Sequence, residues 1–134
     1  LYFPIYDIWQ TWNKGAYVSF DIHKITEKLP TFENIVNEIR DLGYDLDYIS
    51  DKQILATNVD GKYLVTQGGK YKIIMIPDCK YMPVETAQKL LKLTKEGATV
   101  VFLNRLLPKR FLPKSKKFYL ASLNNPMRFE KIGF

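Results

Sequence analysis

Hydrophobic and polar positions are most clearly ordered in residues 71–103, YKIIMIPDCKYMPVETAQKLLKLTKEGATVVFL. Residues 71–76 form a short isoleucine-rich run stopped by Pro77, the pattern of a strand buried on both faces. Residues 78–82 read as a loop, and Pro83 suits the first position of a helix, where its missing N–H costs nothing. The helix runs to Glu96, with Val84, Ala87, Leu90, Leu91 and Thr94 making one stripe. Glu85 in its first turn, Lys92 and Lys95 in its last, and Gly97 as a left-handed cap agree with the helix dipole and with capping. Residues 98–103 give a second buried strand. Two strands joined by a helix run parallel, with a right-handed crossover.

The same reading extends towards the start of the chain. Residues 1–5 read as a first strand ending near Pro4, followed by an aromatic-rich loop. Thr31 is placed to cap a helix whose apolar face is Phe32, Ile35, Val36, Ile39 and Leu42, with Gly43 as its stop. Residues 44–49 alternate Tyr44, Leu46 and Tyr48 with Asp45 and Asp47, which predicts a strand with one polar face or an edge position. Residues 51–57 fit a short helix capped by Ser50 or Asp51. Asp60–Gly61 marks a turn, and residues 62–65 a short extended piece before Gly68–Gly69. The order predicts an α/β, three-layer, flavodoxin-like fold, a mostly parallel sheet with helices on both faces. After Asn104 the pattern weakens. Residues 118–123 fit helix or strand, and residues 127–134 a last strand or a tail.

A chain of 134 residues is one domain, 1–134, with enough length for a core. A hydrophobic content of 46% with 14% aromatic residues excludes a disordered chain. No apolar run approaches the roughly 20 residues of a membrane span, so no membrane partner is expected. The start, LYFPIYDIWQ, lacks the pattern of a signal peptide and reads as a strand already under way, as in a piece of a larger multidomain protein. The single cysteine, Cys79, allows no internal disulfide. Net charge is +6, and residues 105–117 hold six basic residues (Arg105, Lys109, Arg110, Lys114, Lys116 and Lys117) with no acid. Pro108 and Pro113 interrupt this stretch and no aromatic interleaving organises it, so it reads as a basic connector before a nucleic-acid surface.

In open parallel sheets ligands bind beyond the carboxyl ends of the strands. Those ends carry Asp7 and Trp9, Ser50 and Asp51, Asp78 and Cys79, and Asn104 and Arg105. Asp7, Trp9, Trp12, Asp51 and Asp78 are the ligand-binding candidates. Residues 1–20 hold seven aromatics (Tyr2, Phe3, Tyr6, Trp9, Trp12, Tyr17 and Phe20). They could stack on sugar rings, but aromatics more often supply buried area against the sheet or a neighbouring domain. No phosphate-cradling glycine motif appears, so no nucleotide cofactor is expected. One cysteine and the single His23 leave only carboxylates as further metal ligands, with no spacing that groups them. Asp51 and Asp78 could be neighbours at adjacent strand ends, yet single aspartates there more often cap helices or loops. The flanks of Cys79, Pro77-Asp78 and Lys80-Tyr81, do not make the strained elbow of a nucleophile. No catalytic residue is assigned.

Three segments carry a family resemblance: LYFPIYDIWQTW, TFENIVNEIRDLGYDLDYISDKQI and GGKYKIIMIPDCKYMPVETAQKLLKLTKEGATVVFLNRLLP. In this order they resemble the flavodoxin-like, class I glutamine amidotransferase-like domain of bacterial α-L-rhamnosidases of glycoside hydrolase family 106. A similar domain serves as the trimerisation domain of some β-galactosidases. The resemblance extends to about Pro113, where Phe111-Leu112-Pro113-Lys114 replaces the Pro-Gly step common in the family. It implies a non-catalytic accessory domain whose partners are other domains of its own polypeptide, further subunits or carbohydrate. The catalytic acids of such an enzyme would lie in a separate (β/α)₈ barrel, and the parent would be exported, periplasmic or extracellular. Amidotransferases carry their cysteine after the next strand along, near Asn104 here, where there is no thiol. Two other readings stay open: an amidotransferase-like hydrolase using Cys79, and a nucleic-acid binder using residues 105–117.

Overall fold

A computed structural model describes residues 1–11, 29–103, 118–121 and 129–131. Helix α1 spans Ile5–Thr11, α2 Pro30–Asp41 and α3 Asp51–Ala56. Strands β1 (Asn58–Asp60), β2 (Tyr63–Thr66) and β3 (Gly69–Tyr71) follow, then β4 (Ile73–Ile76), α4 (Val84–Glu96) and β5 (Thr99–Leu103). Strands β6 (Phe118–Ala121) and β7 (Phe129–Lys131) complete the described elements.

Strands β4, β5 and β6 pair in parallel, with Ile76 opposite Phe102 and Phe102 opposite Leu120, and β7 joins β6 antiparallel. Residues 1–3 lie against the free side of β4, where the Tyr2 N–H donates to the Met75 carbonyl at 2.8 Å. On their other side they meet residues 47–49 in a parallel bridge between Tyr2 and Ile49. There the Ile49 N–H donates to the Leu1 carbonyl at 2.9 Å and the Phe3 N–H to the Ile49 carbonyl at 3.0 Å. The spatial order is therefore 47–49, 1–3, β4, β5, β6, β7.

Side chains alternate along these strands with the period of two that a pleated backbone imposes. Tyr2, Ile74, Ile76, Val100 and Phe102 join one core cluster with Ile54 of α3, Leu64 of β2, and Leu90 and Leu93 of α4. Leu1, Val101 and Leu103 join a second cluster with Phe32, Ile35, Val36 and Ile39 of α2, and Met75 packs against it.

Several expectations need correction. Residues 4–11 are not a strand end and a loop: after Pro4, α1 buries Ile8 and carries Asp7 in its first turn. Thr31 is not the cap of α2; Leu29 is, with no side-chain cap, because Pro30 already has a helical position. Residues 44–48 form no ladder, and Tyr44, Tyr48 and Leu42 are exposed, since α2 buries only four of its five expected apolar positions. Tyr71 belongs to β3 and not to the strand that follows, which starts at Ile73. The turn at Asp60–Gly61 and the extended piece after it belong to a three-stranded antiparallel sheet in the order β1-β2-β3, turned by two residues at 61–62 and two at 67–68. Pro83 caps α4 with an extended ψ of 142° and is not its first residue, and Val84 faces solvent. The buried stripe is Thr86, Ala87, Leu90, Leu93 and Thr94, rotated from the expected one. Ser50 caps α3 in a reciprocal box with Gln53, and Gly97 closes α4 at φ 119°, where a Cβ would be strained.

Candidate functional site

The strand ends at residues 3, 49 and 76 lead into α1, α3 and the loop before α4, and this brings Asp7, Asp51, Asp78 and Cys79 into one neighbourhood. Two of these acids, Asp7 and Asp51, accept hydrogen bonds from the chain itself. The Asp7 carboxylate accepts from two successive backbone amides: Lys80 N–H at 2.9 and 3.1 Å to its two oxygens, and Tyr81 N–H at 2.8 Å. Consecutive amides of this kind form a concavity suited to an anion. Here the anion is the protein's own side chain, which fastens α1 to the loop after β4.

Asp51, the first residue of α3, accepts from the Thr86 hydroxyl at 2.6 Å and the Tyr2 hydroxyl at 3.0 Å. Both donors are fully buried. One carboxylate thus ties the first extended segment, α3 and α4 together, and satisfies two hydroxyls that could not otherwise be buried cheaply. Burial pushes the Tyr2 phenol far up from its ordinary value, and the charge and hydrogen bond of Asp51 add to the shift.

Cys79 is half-buried beside these acids. Burial pushes its thiol up to about 12, and the charges of Asp7, Asp78 and Asp51 push the same way. A thiol nucleophile needs the opposite, a neighbouring cation or base that favours the thiolate. Among the described residues no group of three or more His, Cys, Asp and Glu side chains could hold a metal ion. Nor is any described helix long and apolar enough to cross a membrane.

Trp9 is the candidate that stands out into solvent. It is 47% exposed, and its ring meets Tyr6 edge-on with centroids 5.1 Å apart. Asp78 is exposed. Trp12, His23, Asn104 and the basic stretch 105–117 lie outside the described residues. Sequence reading missed Tyr2, Thr86 and the amides of Lys80 and Tyr81 as partners of the two aspartates. It also missed the Asp47 carboxylate, which accepts from the Tyr71 hydroxyl at 2.6 Å.

No family model matches the chain, and no solved structure matches it. A protein of Formosa agariphila named "Putative beta-glucuronidase" is 34% identical over 76 residues, 56% of this chain. The match spans only 6% of that relative's length. The chain is thus similar to a short segment of a much longer protein whose name places it among the glycoside hydrolases.

Proposed function

We propose that the chain is a non-catalytic, flavodoxin-like accessory domain of a large bacterial glycoside hydrolase, working through contacts to neighbouring domains or subunits. The observation that carries this reading is the state of the strand-end acids. Asp7 and Asp51 are occupied by four donors of the chain itself, the amides of Lys80 and Tyr81 and the hydroxyls of Tyr2 and Thr86. A catalytic carboxylate has to be free to meet substrate, and a catalytic thiol has to ionise. The strand order 47–49, 1–3, β4, β5, β6 supports the flavodoxin-like assignment, since it matches the 2-1-3-4-5 order of such sheets. Exposed Trp9, Tyr81 and Val84 near the strand ends supply apolar area of the kind that contacts between domains use. The similarity to a β-glucuronidase segment supports a glycoside hydrolase parent, and the three sequence segments favour an α-L-rhamnosidase-like one.

The test is an assay of the 134-residue chain against aryl α-L-rhamnosides and aryl β-D-glucuronides. No turnover above the buffer rate is expected with either. Turnover abolished by Asp7→Asn, Asp51→Asn or Cys79→Ala, in variants that remain folded, would overturn the reading.

A further inference from the structure

A cleft of about 340 Å³ opens between residues 47–49 and the β2–β3 hairpin. Its volume is within the range of small-molecule sites. Its floor is apolar, formed by the fully buried Leu64 and by Ile74. Its rim is polar: the Asp47 carboxylate, the Gln53 amide and the Thr66 and Tyr71 hydroxyls. The Tyr71 hydroxyl donates to Asp47 at 2.6 Å, which fixes both groups at the mouth. The turn over Tyr71 is made of glycines. A Cβ on Gly68 would lie 3.4 Å from the Tyr71 hydroxyl, and one on Gly69 would lie within 4.0 Å of the ring. Their lack of side chains leaves the ring uncovered from that side.

We propose that this cleft binds a neutral sugar ring. A pyranose presents apolar C–H groups on its faces and hydroxyls around its edge, and that matches an apolar floor within a rim of donors and acceptors. A carboxylate oriented by a tyrosine is a strong acceptor for sugar hydroxyls. Among the described residues lining the cleft Asp47 is the one acidic side chain, and burial lowers the Leu1 α-amino group beside it to about 6, so near neutral pH the rim disfavours a uronate. The assignment builds on the accessory-domain reading by giving such a domain a ligand, and Asp7, Asp51, Asp78 and Cys79 are not among the residues lining the cleft.

The experiment is a titration of the ¹⁵N-labelled 134-residue chain, followed by amide shifts, with four methyl glycosides. Three are neutral (glucose, galactose and rhamnose) and the fourth is the glucuronate that differs from the glucoside only at C6. At least one neutral glycoside is expected to give saturable shifts at residues 47–49 and 66–71. Asp47→Ala and Tyr71→Phe should each weaken that binding about tenfold or more. Gly68→Ala, whose new methyl narrows the mouth, should weaken it without changing any polar group. The glucuronate should bind several-fold more weakly than the glucoside, and Asp47→Asn should remove that difference. Absence of saturable shifts with all three neutral glycosides would overturn the proposal. Shifts confined to other surfaces would do so too, as would a glucuronate bound as tightly as the best-bound neutral glycoside. Hydrolysis by the chain would sink the accessory reading and leave this titration standing; a failed titration would do the reverse.

Discussion

Replacing Asp51 by alanine is expected to destabilise the fold by about 3 kcal/mol, because two buried hydroxyls lose their acceptor at once. Thr86 and Tyr2 are both fully inaccessible, so water cannot replace the carboxylate without opening the contact between α3, α4 and the first extended segment. Asp51→Asn keeps an acceptor oxygen in place and should cost about 1 kcal/mol, as a charged hydrogen bond becomes a neutral one. Thr86→Val removes a donor and leaves Asp51 its bond from Tyr2, so its cost should fall below that of the alanine variant. Urea denaturation measures all three through the midpoint, with the slope unchanged. If Asp51→Ala proves neutral or stabilising, Asp51 is held back for chemistry and not for architecture, as catalytic groups often are at the expense of stability.

The largest effect of all is expected at Phe102. Its side chain is 1% exposed, and β5 lies between two parallel neighbours, with Ile76 on one side and Leu120 on the other in register. Together with Leu90 and Leu93 it fills the layer between the strands and α4. Phe102→Ala should cost about 3–5 kcal/mol, the transfer of the ring plus the cavity it leaves. Against an ordinary domain stability of about 5–15 kcal/mol that removes much of the cooperative transition. Val84→Ala is the matching control on the exposed flank of α4 and should stay within about 0.5 kcal/mol. A Phe102→Ala midpoint indistinguishable from the Val84→Ala one would mean that this layer is not the core.

Local rules carried the sequence reading a long way. The strand–helix–strand unit, the Gly43 and Gly97 stops and a cap at Ser50 or Asp51 each depend on residues within a few positions of one another, where propensity and capping act. The failures have physical causes too. Helix α1 was hidden because its seven residues, IYDIWQT, are too few to show a period, and the aromatics around it suggested a loop. An apolar run does not reveal where one sheet ends and the next begins, so the pattern runs Tyr71 into the following strand; the break at Lys72 is set by hairpin pairing. Val84 and Leu42 were placed inside because both extend an apolar stripe by one step, past the point where the opposing surface ends.

The candidate residues were legible in kind, not in role. Strand-end position singles out Asp7, Asp51 and Asp78 as candidates and suggests Asp51 and Asp78 as neighbours, and the structure places all three near Cys79. Their hydrogen-bond partners lie 73 and 74 residues away for Asp7, and 49 and 35 for Asp51, and no local pattern reports such pairs. Asp7 and Asp51 close two different connections beside the thiol.

Cys79 therefore reports on the whole strand-end region, and the pH profile of its alkylation by iodoacetamide in the folded chain is the most direct measurement of the account. The thiol reacts as its thiolate. With its ionisation pushed up to about 12, the rate should stay low through neutral pH and climb only in strongly alkaline buffer. A profile that rises with its midpoint near neutral pH would reveal an activated nucleophile among the strand ends, and the architectural account would be wrong.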